Sequence, residues 1–266
     1  MKRDEILLFK RWFPGYCSSF YTSEEEDNRN LELKEEHTAY VCANILNIAR
    51  EESLCEGDAM IAEAAALFHD IGRFPQYAKY KTFMDSLSLN HGELGAEELA
   101  GTGILNSLPV REQEIITTTV KFHNAFKIPE LVRPDAIFFL KLVRDADKLD
   151  IWRIFNEYYG KDSTKDMPSA VGLGFPDTSE YSRDALECIF NKQLISLAML
   201  KTLNDFKLTK LSWVYDLNFS YSLRMAVKEN YIDGVAATLP QTDEIRKAVE
   251  FVHEYIRRKL EGGHSG

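Results

Sequence analysis

Across most of this chain apolar residues return every three or four positions, and that spacing constrains the fold more than any other feature. One series runs Leu33, His37, Val41, Ile45 and Ile48; another, near the end, runs Ile245, Val249, Val252, Ile256 and Leu260. A repeat of 3.6 residues places each series on one face of a helix. The two-residue alternation of a half-buried strand is scarce, so the expected class is all-α.

Local signals divide the pattern into elements. Asp58 is placed to cap a helix that runs to Phe68–His69 and stops near Gly72, where the chain can turn. "NHGE" at 90–93 has the Asn-x-x-Glu form of a capping box and puts His91 in the first turn of a helix ending before Pro109. A helix over about 110–124 carries Ile116, Thr119, Val120 and His123 along one side. "RPDAIFFLKLVRDADKLDIWRIF" begins a long helix at Asp135 that continues to about Tyr158. Residues 161–179 hold Pro168, Gly172, Gly174 and Pro176 and read as a loop, with three more helical patterns beyond it. The expected organisation is an N-terminal segment (1–30), a helical core (31–160), the loop (161–179) and C-terminal helices (180–262) packed on the core.

Composition narrows the partners. Lys+Arg 32 against Asp+Glu 42 gives a formal charge of −10 over 266 residues, which disfavours nucleic acid polymers and anionic membranes. No apolar run approaches the ~20 residues of a membrane span. "MKRDEILLFKRWF" at the N-terminus carries charge on both sides of a short apolar stretch and does not read as a secretory leader. Cys17, Cys42, Cys55 and Cys188 share no metal-type spacing, so free thiols in a reducing, cytoplasmic compartment are expected. The last helix has a face suited to intramolecular packing or to pairing in an oligomer.

Within this frame "AALFHDIGRF" at 64–73 is anomalous, because an apolar helix runs straight into His69 and Asp70. Burying a charge beside an imidazole is costly unless something pairs with both. Four of the six histidines, His37, His69, His91 and His123, fall on or at the mouths of successive helices. Imidazole is the commonest transition-metal ligand, and four of them with a His-Asp tandem and a later Asp-x-Asp favour a metal site over four separate core histidines. His253 and His264 lie outside this cluster and read as surface residues. Asp145 and Asp147 point about 200° apart on a helix, so one of them faces the site, and periodicity alone does not choose.

His37, then "HD" at 69–70 followed by "IGRF", then the Asp within "VRDADKLD" resemble the HD-domain metal-dependent phosphohydrolases over roughly residues 31–160. The resemblance implies one ion held by His37, His69, Asp70 and Asp147, with Asp70 bridging to a second held by His91 and His123. Asp145 and Asp150 are then supporting or helix-surface acids. The implied cofactor is one or two divalent transition metal ions, with Fe or Mn favoured and Mg, Ni, Co or Zn open. Asp70 and Arg73 are the implied catalytic residues, Arg73 filling the basic position after His-Asp-x-Gly, where its fork suits a phosphate. Lys148 reads as a solvated helix-face lysine, with a second phosphate contact as the alternative, and Tyr77 and Lys81 as a candidate pocket wall. The implied activity is hydrolysis of a phosphate ester in a small, nucleotide-like substrate by a metal-activated hydroxide. Two alternatives share the scaffold: a four-His, two-Asp di-iron oxygenase similar to inositol oxygenase, and a metal or ligand sensor without catalysis.

Overall fold

The computed structural model describes residues 1–160 and 174–262; most of the expected loop, and His264, lie outside the described residues. Among the described residues the protein is all-α, and they divide into two units at Asp150/Ile151, inside one long helix.

The first unit contains α1 (Arg3–Ser18), α2 (Glu25–Glu51), α3 (Glu56–Phe68), α4 (Arg73–Tyr80), α5 (His91–Thr102), α6 (Val110–Phe122) and the N-terminal part of α7 (Pro134–Tyr159). Helix α2 starts well before Leu33. Glu25, Glu26 and Asp27 occupy its first turn, where carboxylates favour the positive end of the helix dipole. Cys55, not Asp58, takes the N-cap position of α3, and Asp58 lies in the first turn. Pro134 opens α7 itself, as suits a residue that lacks the N–H a first turn cannot use.

Helix α3 is the spine of this unit. Ala64, Ala65, Ala66 and Phe68 are fully buried, and the small side chains of the three alanines let α2 and α6 approach on two sides. Helix α1 covers a third side, with Phe9 5.3 Å and Phe13 6.4 Å from Phe68 between ring centres. Helix α5 pairs with α6, so α2–α3 and α5–α6 are two helix pairs joined through α3 and α6. In α7 Leu140, Leu142, Val143 and Ala146 are all buried, which leaves this part of the helix no solvent face. The expectation for Lys148 is corrected on that ground: it is 8% exposed, and its ammonium donates to Arg144 O.

In the second unit, the end of α7 is accompanied by α8 (Arg183–Phe190), α9 (Leu203–Ser212), α10 (Ser220–Lys228), α11 (Tyr231–Ala237) and α12 (Asp243–Gly262). Five helices therefore replace the three expected. Trp152 is fully buried and donates from its indole to Lys210 O at 3.1 Å. Helix α12 starts just after Thr242 and buries Ile245, Ala248, Val252 and Ile256, while Val249 and Leu260 are only half-buried. No helix among the described residues is long and apolar enough to cross a membrane.

Candidate metal centre

Each of the four histidines comes from a different helix or helix end. His37 projects from the middle of α2, His69 follows the last turn of α3, His91 is the first residue of α5, and His123 follows the last turn of α6. All four are buried, as is Asp70.

Every one of these rings has its Nδ1 occupied by an acceptor. His69 Nδ1 donates to Ala66 O at 2.7 Å and His123 Nδ1 to Val120 O at 2.8 Å. His37 Nδ1 donates to Asp150 Oδ2 at 2.6 Å, and His91 Nδ1 to Asp85, 2.9 and 2.8 Å from its two oxygens. A carbonyl or carboxylate oxygen can only accept, so in the neutral rings the lone pair is on Nε2. The Nε2 atoms then meet in pairs, His37 with His69 at 3.2 Å and His91 with His123 at 3.1 Å. In a pair of neutral rings, two bare imidazole nitrogens at that separation repel unless a cation or a proton lies between them.

Asp70 joins the pairs. Its Oδ2 is 3.8 Å from His37 Nε2 and 3.7 Å from His69 Nε2, while Oδ1 is 3.4 Å from His91 Nε2 and 3.6 Å from His123 Nε2. Of the two distal acids, Asp147 brings Oδ1 to 3.1 Å from His37 Nε2 and 3.8 Å from His69 Nε2. Asp145 is buried elsewhere on the same helix.

Burial and charge settle the protonation. Burial lowers the pKa of His69 to about 4, and burial reinforced by the Arg73 charge lowers that of His91 to about 3. Burial also disfavours charge on His37, but the hydrogen bonds its ring donates to Asp147 and Asp150 outweigh it and raise its pKa to about 9. Burial would raise Asp70, yet Lys34, the imidazoles and Arg73 hold its carboxyl well below the usual range. Asp147 is likewise held low, chiefly by its bond to His37, which overcomes its burial.

The donor set fits a cation. Nitrogens about 2.1 Å from one ion, about 90–109° apart, are separated by about 3.0–3.4 Å, which brackets both Nε2 pairs. Two groups can each hold an ion: His37, His69 and Asp70, and Asp70, His91 and His123. Mixed imidazole and carboxylate ligation suits Fe, Mn and similar metals.

A family model for the HD domain matches residues 35–152. Residues 35–152 form an HD domain. Searches among curated proteins and among solved structures give no significant match. The HD domain family is mostly metal-dependent phosphohydrolases, which supports a hydrolase in general.

Three groups around the HD centre carry no strong sequence signal. Lys34 Nζ is 2.8 Å from Asp70 Oδ2; its position three residues before His37 was the only available hint. Asp150 supports His37 from one turn beyond Ala146. Asp85 lies in a one-turn 3₁₀ segment, Asp85–Leu87, where no periodicity marks it. Arg73 points Nη1 at Asp85 Oδ1 (3.1 Å), Phe83 O (2.5 Å) and Gln76 Oε1 (2.9 Å), and its Nε is 3.4 Å from Asp70 Oδ1. Tyr77 and Lys81 turn to Asp27: the tyrosine hydroxyl donates to its carboxylate at 3.1 Å, and the lysine forms an ion pair with it.

Proposed function

We propose that this HD domain is a metal-dependent phosphohydrolase that cleaves a phosphate ester of a small substrate, nucleotides included. The single observation that carries the reading is the pair of facing Nε2 couples spanned by the two oxygens of Asp70. His37, His69, Asp70 and Asp147 would hold one ion, and Asp70, His91 and His123 a second. Bound there, a divalent ion supplies hydroxide at neutral pH and draws charge from a phosphoryl oxygen.

The protein's own groups have distinct tasks in this reading. The buried imidazoles keep their donor atoms fixed and exclude bulk water, which strengthens every charge interaction inside. The less buried rim of the centre holds Lys34, Arg73, Asp147 and Asp85, with side-chain exposures of 17%, 15%, 16% and 31%. Two of those four groups are cations and two are carboxylates, in a chain whose net charge is −10. A compact anionic substrate finds two cations beside the centre, Lys34 and Arg73, while the net negative charge of the chain disfavours a polyanion. Lys34 and Arg73 both stand over the Phe83 ring, 5.2 and 5.8 Å from its centre, which limits where each can move.

Metal-loaded full-length protein incubated with phosphomonoesters, phosphodiesters and nucleotides should release product, and Asp70→Asn should not. Absence of turnover across such a panel would overturn the reading. Oxygen uptake by iron-loaded protein under the same conditions would transfer the centre to oxygenase chemistry.

A further inference from the structure

The two halves of the centre are built alike but are not held alike. In the first half the carboxylate behind His37 is Asp150, fully enclosed in α7, and Asp147 adds a second carboxylate beside the Nε2 pair. In the second half the carboxylate behind His91 is Asp85, whose side chain is 31% exposed, on segment 82–90, in which no residue is buried. That segment is tied down by polar contacts that converge on Asp85. Besides His91, its carboxylate receives Arg73 Nη1 (3.1 Å), Gln76 Nε2 (2.9 Å) and Asn124 Nδ2 (3.1 Å), and Gln76 also donates to Leu89 O at 2.9 Å.

Each oxygen of Asp70 has a resident cation beside it, Lys34 Nζ 2.8 Å from Oδ2 on the His37 side and Arg73 on the other, but only the His37 half adds a second carboxylate, Asp147. The Arg73 guanidinium has its Nε 3.4 Å from Asp70 Oδ1, the oxygen that faces His91 and His123, and this Nε has no hydrogen-bond partner. A cation arriving there shares one carboxylate with a resident cation. His91 is also the first residue of α5, so the positive end of that helix dipole faces the same place. The first half has two carboxylates and no such helix N-terminus among its ligands.

We infer that Asp85 is a positioning residue that creates the second cation site, and that this site is the weaker of the two. By accepting the Nδ1 proton of His91, Asp85 keeps Nε2 bare and aimed at His123; by engaging Arg73 Nη1, it draws part of the guanidinium charge away from Asp70. The inference rests on the two-ion reading of the centre. It adds an order of filling: the His37 half loads first, and the His91 half loads only at higher metal concentration.

The test is a titration of metal-free, full-length protein with Mn(II), followed by calorimetry and elemental analysis, with thermal melting of the metal-free protein as the folding control. The native protein should take up two equivalents in two resolved steps. Asp85→Ala should leave the first step unchanged and weaken the second about 10–100-fold, the scale typical of an outer partner of a ligating histidine. Asp85→Asn, which still offers an oxygen to Nδ1–H, should recover part of that loss. Two unaltered steps in Asp85→Ala, or equal weakening of both, would overturn the inference. So would a native protein that binds a single equivalent, an outcome that leaves phosphate-ester hydrolysis standing. Two steps without any turnover would sink the hydrolase reading and leave the role of Asp85 intact.

Discussion

His69 and His123 end two packed helices in the same way: each Nδ1 donates to the carbonyl three residues back, Ala66 O and Val120 O, and the two rings lie 5.1 Å apart, edge to face. The last carbonyls of a helix have no intrahelical donor, so each imidazole satisfies its own helix end while fixing its tautomer. Both helix C-termini carry partial negative charge and converge on the centre, which favours a cation there before any carboxylate is counted. Asp70 follows His69 directly and reaches both histidine pairs, so one dipeptide serves the whole arrangement.

Asp70→Asn tests that central position. The substitution keeps the shape of the side chain but removes the charge opposite Lys34, Arg73 and both Nε2 pairs. Metal retained after gel filtration should fall for both halves together, and turnover should drop by more than the roughly 10–100-fold that loss of an outer partner costs. Retention of wild-type metal content by Asp70→Asn would show that the carboxylate is not a ligand.

Metal removal should be visible as lost stability. The Nε2 pairs come together only in the folded chain, so an ion that binds them adds stability to that state. At a free concentration about a hundred times its dissociation constant, the gain is about 2.7 kcal/mol. Melting followed by circular dichroism should therefore shift upward on adding Mn(II) to chelator-treated protein. The shift should be absent in Asp70→Asn, and an equal shift in that variant would place the bound metal elsewhere.

Two glycines near the centre are required by space. Gly72 has an ordinary φ of −68°, but a Cβ there would lie 2.2 Å from His91 O and 2.5 Å from Gly95 N. At Gly92 a Cβ would lie 2.5 Å from Lys121 O. These neighbours are backbone atoms of α5 and α6, which cannot yield without moving His91 and His123. Gly72→Ala and Gly92→Ala should each cost about 1–3 kcal/mol in denaturant unfolding and reduce metal content as well. Wild-type stability in Gly72→Ala would mean that α5 can shift without cost.

The gathering of His37, His69, His91 and His123 was legible in the sequence, because each sits on or at the end of a segment whose helical phase is explicit. That phase left Asp145 and Asp147 undecided; the resemblance to the HD pattern pointed to Asp147, whose Oδ1 lies 3.1 Å from His37 Nε2. Asp85 could not be read, since its role depends on how a short aperiodic segment folds back over α4 and α5. Gly72 looked like a turn residue, whereas its importance comes from a second helix that the local sequence does not contain. In the C-terminal part, Arg183–Phe190, Ser220–Lys228 and Tyr231–Ala237 are each only about two turns long. Helices that short show too few apolar repeats to be separated by pattern, which is why three were expected where five occur.

Asp205 allows a test of pH dependence away from the metal centre. It is fully buried at the start of α9, and its carboxylate accepts from Ser182 N (2.6 Å), Ser182 Oγ (2.7 Å), Lys201 N (2.9 Å) and Thr202 N (3.2 Å). Thr202 Oγ1 accepts from Asp205 N at 3.1 Å, which closes a reciprocal cap. Burial opposes the charge, but the Ser182, Lys201 and Thr202 donors outweigh it and lower the pKa below that of a free aspartate. A lowered folded pKa means that the stabilisation is complete above the unfolded value of about 3.9 and is lost as pH falls through the folded value. Asp205→Asn should therefore cost about 1–2 kcal/mol at neutral pH, in the range of a lost helix cap. The gap from the native protein in denaturant unfolding should narrow steadily below about pH 4. A difference that stayed constant down to pH 2 would assign the effect to packing instead of charge.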